Sequence, residues 1–257
     1  MADILDRFIA AAKGNVESGY YSGAARNADA KKAKLTGAIA RQGFALITEI
    51  KHASPAGEYS FGNIDVEKAA ADFAACGADA ISVVVEPQIF RGSLANVPLA
   101  KKTGLPVLFK DFVISEEQID AASLLGADAV LLVAKVAQRL GLDMDGLIAH
   151  AHAKGLEVLL ECYDEKEMEL AAGTDADMLG INNRDLATLK VDLGRTARIM
   201  EYAAGAGKPV ISESGIRGAE NVRFVRRFGV SGVLVGTTIW KAGDLREKVR
   251  ELKQGAL

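Results

Sequence analysis

The sequence predicts an α/β protein: a single closed (β/α)8, or TIM, barrel with an N-terminal helical extension. Three observations carry that prediction. From Ala45 onward, a short apolar run rich in β-branched residues, followed by a longer stretch of helical spacing, recurs eight times. The short runs are almost continuously apolar, as strands buried on both faces must be. A length of 257 residues suits one such barrel, which commonly takes about 250 residues for one domain.

In chain order, residues 1–44 form the predicted extension. The stretch Ile4-Leu5-Asp6-Arg7-Phe8-Ile9-Ala10-Ala11 is amphipathic and is followed by a polar and basic run through Lys34. It reads as an added helical segment covering one mouth of the barrel. Residues 45–257 form the barrel as one domain. Its strands are predicted at Ala45–Ser54, Asp79–Val85, Pro106–Phe112, Asp128–Val133, Glu157–Tyr163, Met178–Asn183, Pro209–Ser214 and Gly232–Thr237. Helices are predicted at Val66–Cys76, Glu116–Leu125, Asp145–Lys154, Glu165–Ala172, Thr196–Ala204, Ala219–Phe228 and Leu245–Lys253, each long enough to cross over between parallel strands. Several helices end in one phrase: Cys76-Gly77-Ala78-Asp79, Leu125-Gly126-Ala127-Asp128 and, more loosely, Phe228-Gly229-Val230-Ser231. Glycine just past a helix takes the left-handed cap, and the small residue after it lets the chain turn straight into the next strand. An open doubly wound sheet uses the same units, but eight in succession without a change of style favour closure.

The composition narrows the function class. Hydrophobic residues make up 49% and aromatic ones only 6%, which describes an aliphatic core. The 31 basic and 34 acidic residues are interspersed and sum to −3, so broad electrostatic binding to nucleic acid or membrane is not expected. Cys76 and Cys162 lie in apolar segments, and the first apolar run is broken by charge, so a cytoplasmic protein is expected. No run approaches the roughly 20 apolar residues that span a bilayer.

In this fold the chemistry sits at the C-terminal ends of the strands. Strand 1 ends in Glu49-Ile50-Lys51-His52-Ala53-Ser54, where two-residue periodicity puts Glu49 and Lys51 on one face and Ile50 on the other. Strand 3 gives Lys110 and Phe112 on a shared face, strand 5 gives Glu161, and strand 6 gives Asn182 and Arg184. A single charge of this kind reads as a rim salt bridge. Six charged or amide groups at the ends of otherwise apolar strands are a costly route to stability, and a catalytic constellation explains them better. Strands 7 and 8 end in Ser214-Gly215 and Gly236-Thr237. Loops there often bind phosphate, because glycine admits close approach of backbone N–H donors and a helix N-terminus favours an anion. His150 and His152, spaced i, i+2 on a helix, point apart and read as solvated residues rather than metal ligands. Cys162 follows Glu161 and should face the outer helices as a core thiol. No metal-ligand cluster or nucleotide-binding fingerprint is present in the sequence.

With these segments in place, the chain resembles the indole-3-glycerol-phosphate synthase family of tryptophan biosynthesis. The resemblance spans nearly the whole chain. It rests on Glu49 to Pro55, Phe90-Arg91-Gly92-Ser93-Leu94, Lys110-Asp111-Phe112, Gly180-Ile181-Asn182-Asn183-Arg184-Asp185-Leu186 and Ser212-Glu213-Ser214-Gly215-Ile216, in order. It implies a lyase that closes the indole ring of 1-(2-carboxyphenylamino)-1-deoxyribulose 5-phosphate with loss of carbon dioxide and water. Neither a cofactor nor a metal is implied, and a monomer is expected, with room for association with other enzymes of the pathway.

The resemblance further implies that Lys110 is the general acid, that Glu161 serves the later proton transfers, and that Lys51, Glu49 and Asn182 complete the catalytic set. Ser54, Phe90, Phe112 and Arg184 are implied in substrate binding, and Ser214, Gly215, Gly236 and Thr237 in phosphate binding. Three departures from the family pattern stand out: the loop Ala56-Gly57-Glu58-Tyr59-Ser60-Phe61-Gly62 lacks the usual lysine, Val84-Val85-Glu86-Pro87 replaces a commoner Leu-Thr-Asp/Glu, and Lys135 is unusual near the mouth. A related isomerase, acting on phosphoribosylanthranilate, is expected to use Cys and Asp where this chain offers Lys and Glu. A barrel that binds without turnover has no need of an acid–base set.

Overall fold

The computed structural model describes residues 4–256, apart from 56, 58, 62, 186 and 204. Eight parallel strands close into a barrel in sequence order. The chain runs α1 (Ile4–Glu17), a 3-10 turn (Tyr20–Gly23), α2 (Leu35–Gln42), β1 (Ala45–Ile50), α3 (Val66–Ala75), β2 (Ala80–Val84), α4 (Asn96–Lys101), β3 (Val107–Lys110) and α5 (Glu116–Leu124). It continues β4 (Ala129–Val133), α6 (Ala134–Leu140), α7 (Met144–Ala153), β5 (Glu157–Cys162), α8 (Glu165–Ala172), β6 (Met178–Asn182) and α9 (Gly194–Ala203). It ends β7 (Val210–Glu213), α10 (Ala219–Arg226), β8 (Gly232–Val235), α11 (Thr237–Trp240) and α12 (Leu245–Ala256). All eight predicted strands are present, each trimmed at one or both ends, most at the C-terminal side where the chain leaves the sheet to form the mouth.

The register decides which side chains meet inside. Glu49 pairs with Ser82 and Ser82 with Leu108; Glu161 pairs with Gly180 and Gly180 with Ile211; Glu213 pairs with Leu234 and Leu234 with Ile47. The partner thus drops two residues from one odd strand to the next. With strands tilted as in a barrel of this shear, side chains of alternate strands stack in layers of four. The apolar layer is Ile47, Leu108, Leu159 and Ile211. Immediately above it, at the same phase of the same strands, stand Glu49, Lys110, Glu161 and Glu213. Even strands interleave Ser82, Leu131, Gly180 and Leu234 below that charged layer, and Val84, Val133, Asn182 and Gly236 above it.

The opposite end explains the recurring Gly-Ala-Asp phrase. Asp79, just before β2, accepts the backbone N–H of Leu46 on β1 at 2.8 Å. Asp128 does the same for Val107 on β3 at 2.8 Å, and Asp177 for Val158 on β5 at 2.8 Å. Ser231 completes the set, its hydroxyl accepting from Val210 on β7 at 3.3 Å. Each latch lends a strand end the acceptor it lacks. Asp128 is further held by the N–H of Ala33 at 2.8 Å and by the Lys101 ammonium at 2.5 Å, both side chains of that ion pair being sealed from water. Lys101→Met is therefore expected to cost about 3 kcal/mol in urea unfolding, because it strands a buried carboxylate.

The residues before β1 reach both mouths, where one was expected. Phe8 of α1 stacks on Phe112 at the C-terminal end of the barrel. The chain then descends beside α5, with Asn27 N–H donating to Leu124 O at 2.8 Å and Lys32 Nζ to Ala127 O at 2.9 Å. At the far end the N–H groups of Leu35 and Thr36 both donate to Glu157, while Leu35 and Ile39 join the interior cluster with Ala45, Ala129 and Met178. A single short helix is too narrow to do both, and the polar run through Lys34 is the strap between two caps.

Candidate active site

A cleft of about 970 Å³, its open mouth included, occupies the C-terminal end of the barrel, within the usual range for small-molecule sites. Glu49, Lys51, Ser54, Phe90, Lys110, Phe112, Glu161, Asn182, Arg184, Ser214, Gly215, Gly236 and Thr237 all line it, so every residue singled out from the sequence reaches one cavity. The loop after β1 falls partly on Ala56, Glu58 and Gly62, which lie outside the described residues, as does Leu186 of the strand 6 motif.

The charged layer forms the floor. Lys110 Nζ sits 2.7 Å from Glu213 Oε2 and 3.5 Å from Glu49 Oε2, and Lys51 Nζ lies 2.5 Å from Glu49 Oε1. Burial opposes the charge on Lys110, but Glu213, Glu49 and Glu161 more than offset it and hold the ammonium above its usual range. The balance that sequence alone leaves open thus falls on the charged form. Burial likewise opposes ionisation of Glu49, yet Lys51 and Lys110 keep its carboxylate below the usual range. Glu161 behaves oppositely: burial and the neighbouring Glu213 push it up to about 8, against Lys110 and the Asn182 amide. Asn182 Nδ2 donates to Glu161 Oε1 at 3.0 Å, and its Oδ1 accepts the N–H of Arg184 at 3.0 Å.

One wall is aromatic. The rings of Phe8 and Phe112 are stacked 4.8 Å apart, and Phe90 lies 5.8 Å from Phe8 and 6.2 Å from Phe112. Phe90 is carried by a loop wound on the buried Glu86, whose two oxygens accept the N–H groups of Gln88, Ile89 and Phe90 at 2.8, 2.7 and 2.9 Å. Here the altered Val84-Val85-Glu86 sequence keeps the carboxylate that builds the loop. Gly92 lets that loop lie against β2: a Cβ there would stand 2.4 Å from the Val84 carbonyl oxygen.

The facing wall is made of backbone. Ser214 and Gly215 follow one another at φ 66 and 82, a left-handed pair that turns successive N–H groups into a concavity suited to an anion. The Asn183 amide fixes this turn by donating to Glu213 O at 3.0 Å and Ser214 O at 3.1 Å. Gly236 precedes α11, whose first-turn N–H groups have no acceptor within the helix. Thr238 Oγ1 ties the two loops together through Ile216 O at 2.6 Å.

Among the lining residues that escaped the sequence reading of the site are Phe8, Glu86, Leu189 and above all Glu213. The signal for Glu213 was available, since Ile211 and Glu213 share the inward phase of β7. Elsewhere the expectations need adjustment. His150 and His152 do point apart, but they are not simply solvated: His150 pairs with Asp120 at 2.8 Å and His152 with Asp177 at 2.9 Å. Lys135 opens α6 and places its ammonium 4.4 Å from the ring centre of Tyr163. Cys162 is buried in the outer cluster, and burial pushes its thiol well up. Among the described residues, no cluster of three or more His, Cys, Asp or Glu is placed to hold a metal ion, and no helix is long and apolar enough to cross a membrane.

Comparison with known proteins places this geometry in context. A family model described as indole-3-glycerol phosphate synthase matches residues 8–252. A protein of that name from Bacillus cereus is 35% identical over 255 residues, covering 98% of this chain and 99% of the relative. Another of that name, from Caldanaerobacter subterraneus, is 40% identical over 214 residues, covering 82% of each. Among solved structures, tryptophan synthase of Mycobacterium tuberculosis superposes with a TM-score of 0.66 at 14% identity, over 88% of this chain and 99% of that one, a likeness of fold.

Proposed function

Because the chain belongs to the indole-3-glycerol phosphate synthase family, we propose that it converts 1-(2-carboxyphenylamino)-1-deoxyribulose 5-phosphate to indole-3-glycerol phosphate, carbon dioxide and water. The observation that carries this reading is the ammonium of Lys110, held charged by buried carboxylates between an aromatic wall and a glycine-rich anion turn. The substrate has the matching order of parts: an aryl carboxylate, a ketose and a phosphate.

Phosphate binds at Ser214, Gly215, Gly236 and Thr237, and the aryl ring lies against Phe90 and Phe112. Arg184 receives the carboxylate, Asn182 a sugar oxygen, and Ser54 a further polar group. Attack of the ring carbon on the ketose carbonyl builds negative charge on oxygen, and Lys110 both stabilises that charge and supplies the proton. Carbon dioxide then leaves and restores an electron pair to the ring. Glu161 serves the proton transfers of the dehydration, while Glu49 and Lys51 fix the position of Lys110 and the substrate oxygens. No cofactor enters these steps, and the enzyme works as a cytoplasmic monomer.

Incubation of the purified protein with the carboxyphenylamino-deoxyribulose phosphate is expected to generate indole fluorescence. If no indoleglycerol phosphate forms, the assignment fails.

A further inference from the structure

The charged layer and the residue above it on β1 bring together three buried carboxyl groups, Glu49, Glu161 and Glu213, and two ammonium groups, Lys51 and Lys110. Glu49 is committed, with one oxygen on Lys51 at 2.5 Å and the other facing Lys110 at 3.5 Å. Glu213 Oε2 is committed to Lys110 at 2.7 Å. Its second oxygen, Oε1, is sealed from water and has no hydrogen-bond donor. A buried carboxylate oxygen left without a donor is costly.

The carboxyl of Glu161, from the same layer of the barrel, is in hydrogen-bond contact with that of Glu213, whose Oε2 is already taken by Lys110. The two come from β5 and β7, with β6 between them, and they meet because β6 carries Gly180 at that level. A Cβ on Gly180 would stand 2.6 Å from Glu213 Oε1 and 3.3 Å from Glu161 Cα. The missing side chain thus leaves the space in which Glu213 Oε1 reaches across β6 to the backbone of Glu161. Two carboxylates in a dry site repel one another, and they make a contact of this kind only when one of them holds a proton.

We propose that Glu161 and Glu213 share one proton across Gly180 in the resting enzyme, the Glu161 hydroxyl donating to Glu213 Oε1. This gives the orphan oxygen a donor and matches charge within this group of five: the single negative charge of the pair and that of Glu49 equal the two positive charges of Lys51 and Lys110. Asn182 of β6 donates to the other side of Glu161, and the further titratable or charged groups that line the same cleft are Glu86 after β2, Asp111 after β3 and Arg184 after β6. The upward push on Glu161 from burial and from Glu213, to about 8, agrees with that assignment.

The consequence for catalysis rests on the ring-closure reading. Glu161 enters the cycle as a proton donor. In the dehydration it protonates the departing hydroxyl, the carbon–oxygen bond breaks with its electron pair on water, and the neighbouring ring proton returns to the pair. Glu213 is the positioning residue that keeps the proton on Glu161, and Gly180 is what permits the contact.

The test is infrared titration of the free enzyme carrying ¹³C-labelled glutamate, which needs no turnover and so separates this proposal from the assigned reaction. The wild type is expected to show a protonated glutamate band at neutral pH that fades as pH rises through about 8. Glu161→Gln is expected to lack it. In Glu213→Gln the fading moves to lower pH by more than about one unit, since the coupled charge is gone. The proposal is overturned if the wild type has no such band at neutral pH, if Glu161→Gln retains it, or if Glu213→Gln leaves its titration in place. The wild-type spectrum alone decides the first point even where a variant fails to fold.

Discussion

Lys110→Met is expected to lower kcat by between about 10² and 10⁴, the usual contribution of a positioned proton donor, with a much smaller change in substrate affinity. Methionine fills the stem of the side chain but carries neither charge nor proton, so the oxygen that turns negative in ring closure loses its partner in the transition state. Stopped-flow indole fluorescence measures kcat, and quenching of the bound aryl fluorophore measures affinity. Full activity in the variant would leave the family assignment standing and remove Lys110 from the chemistry. The variant also leaves Glu213 and Glu49 short of a cation that stood 2.7 and 3.5 Å away, so its thermal stability should fall more at alkaline than at acid pH, where protons can take up the slack.

Glu161→Gln is expected to be inactive yet more stable than the wild type at high pH. Glu161 is raised by burial and by Glu213 to about 8, well above a carboxyl in an unfolded chain. Such a group contributes stability that is complete below the ordinary carboxyl pKa and is lost as pH rises through the folded value. Between those limits the loss approaches about 1.4 kcal/mol per pH unit. Glutamine keeps the shape, accepts from Asn182, offers Glu213 a donor, and does not titrate. Urea unfolding at pH 5 and pH 9 should therefore show the variant gaining on the wild type as pH rises; parallel curves would mean that Glu161 ionises normally. Function here is maintained against stability, as is common where an ionisable group must be kept in a dry pocket.

Much of this site was legible because the barrel imposes simple rules on sequence. Strands buried on both faces are apolar, so Glu49, Lys110 and Glu161 stand out within them, and alternation gives their direction. Glu213 was hidden by its neighbours: between Ser212 and Ser214, ahead of Gly215, it reads as part of a polar turn. The structure resolves the ambiguity, since Ser212 faces outward to Asn183 and Thr196 while Glu213 faces Lys110. Phe8 could not be read from local pattern, because its partners Phe90 and Phe112 are distant in sequence and meet it only across the closed barrel. Two crossover helices were missed for local reasons. α6 starts at Ala134, directly after β4 ends at Val133, so the apolar run hides the boundary. α4 carries Pro98 in its first turn, a position where proline costs a helix little but where it reads as a loop.

The latches at the N-terminal end divide the molecule in a way its round shape conceals. Asp79, Asp128, Asp177 and Ser231 join β1 to β2, β3 to β4, β5 to β6 and β7 to β8. Each closes within one β-α-β module, so the barrel is four such modules set edge to edge. New chain termini opened in α4, in the α6–α7 connection or in α9 would leave every module whole. Termini opened in α3, α5, α8 or α10 would divide one, and circular permutants of the first kind should refold more readily than those of the second. The same modular seams mark where a barrel of this type can grow by duplication, since a copied module brings its own closure with it.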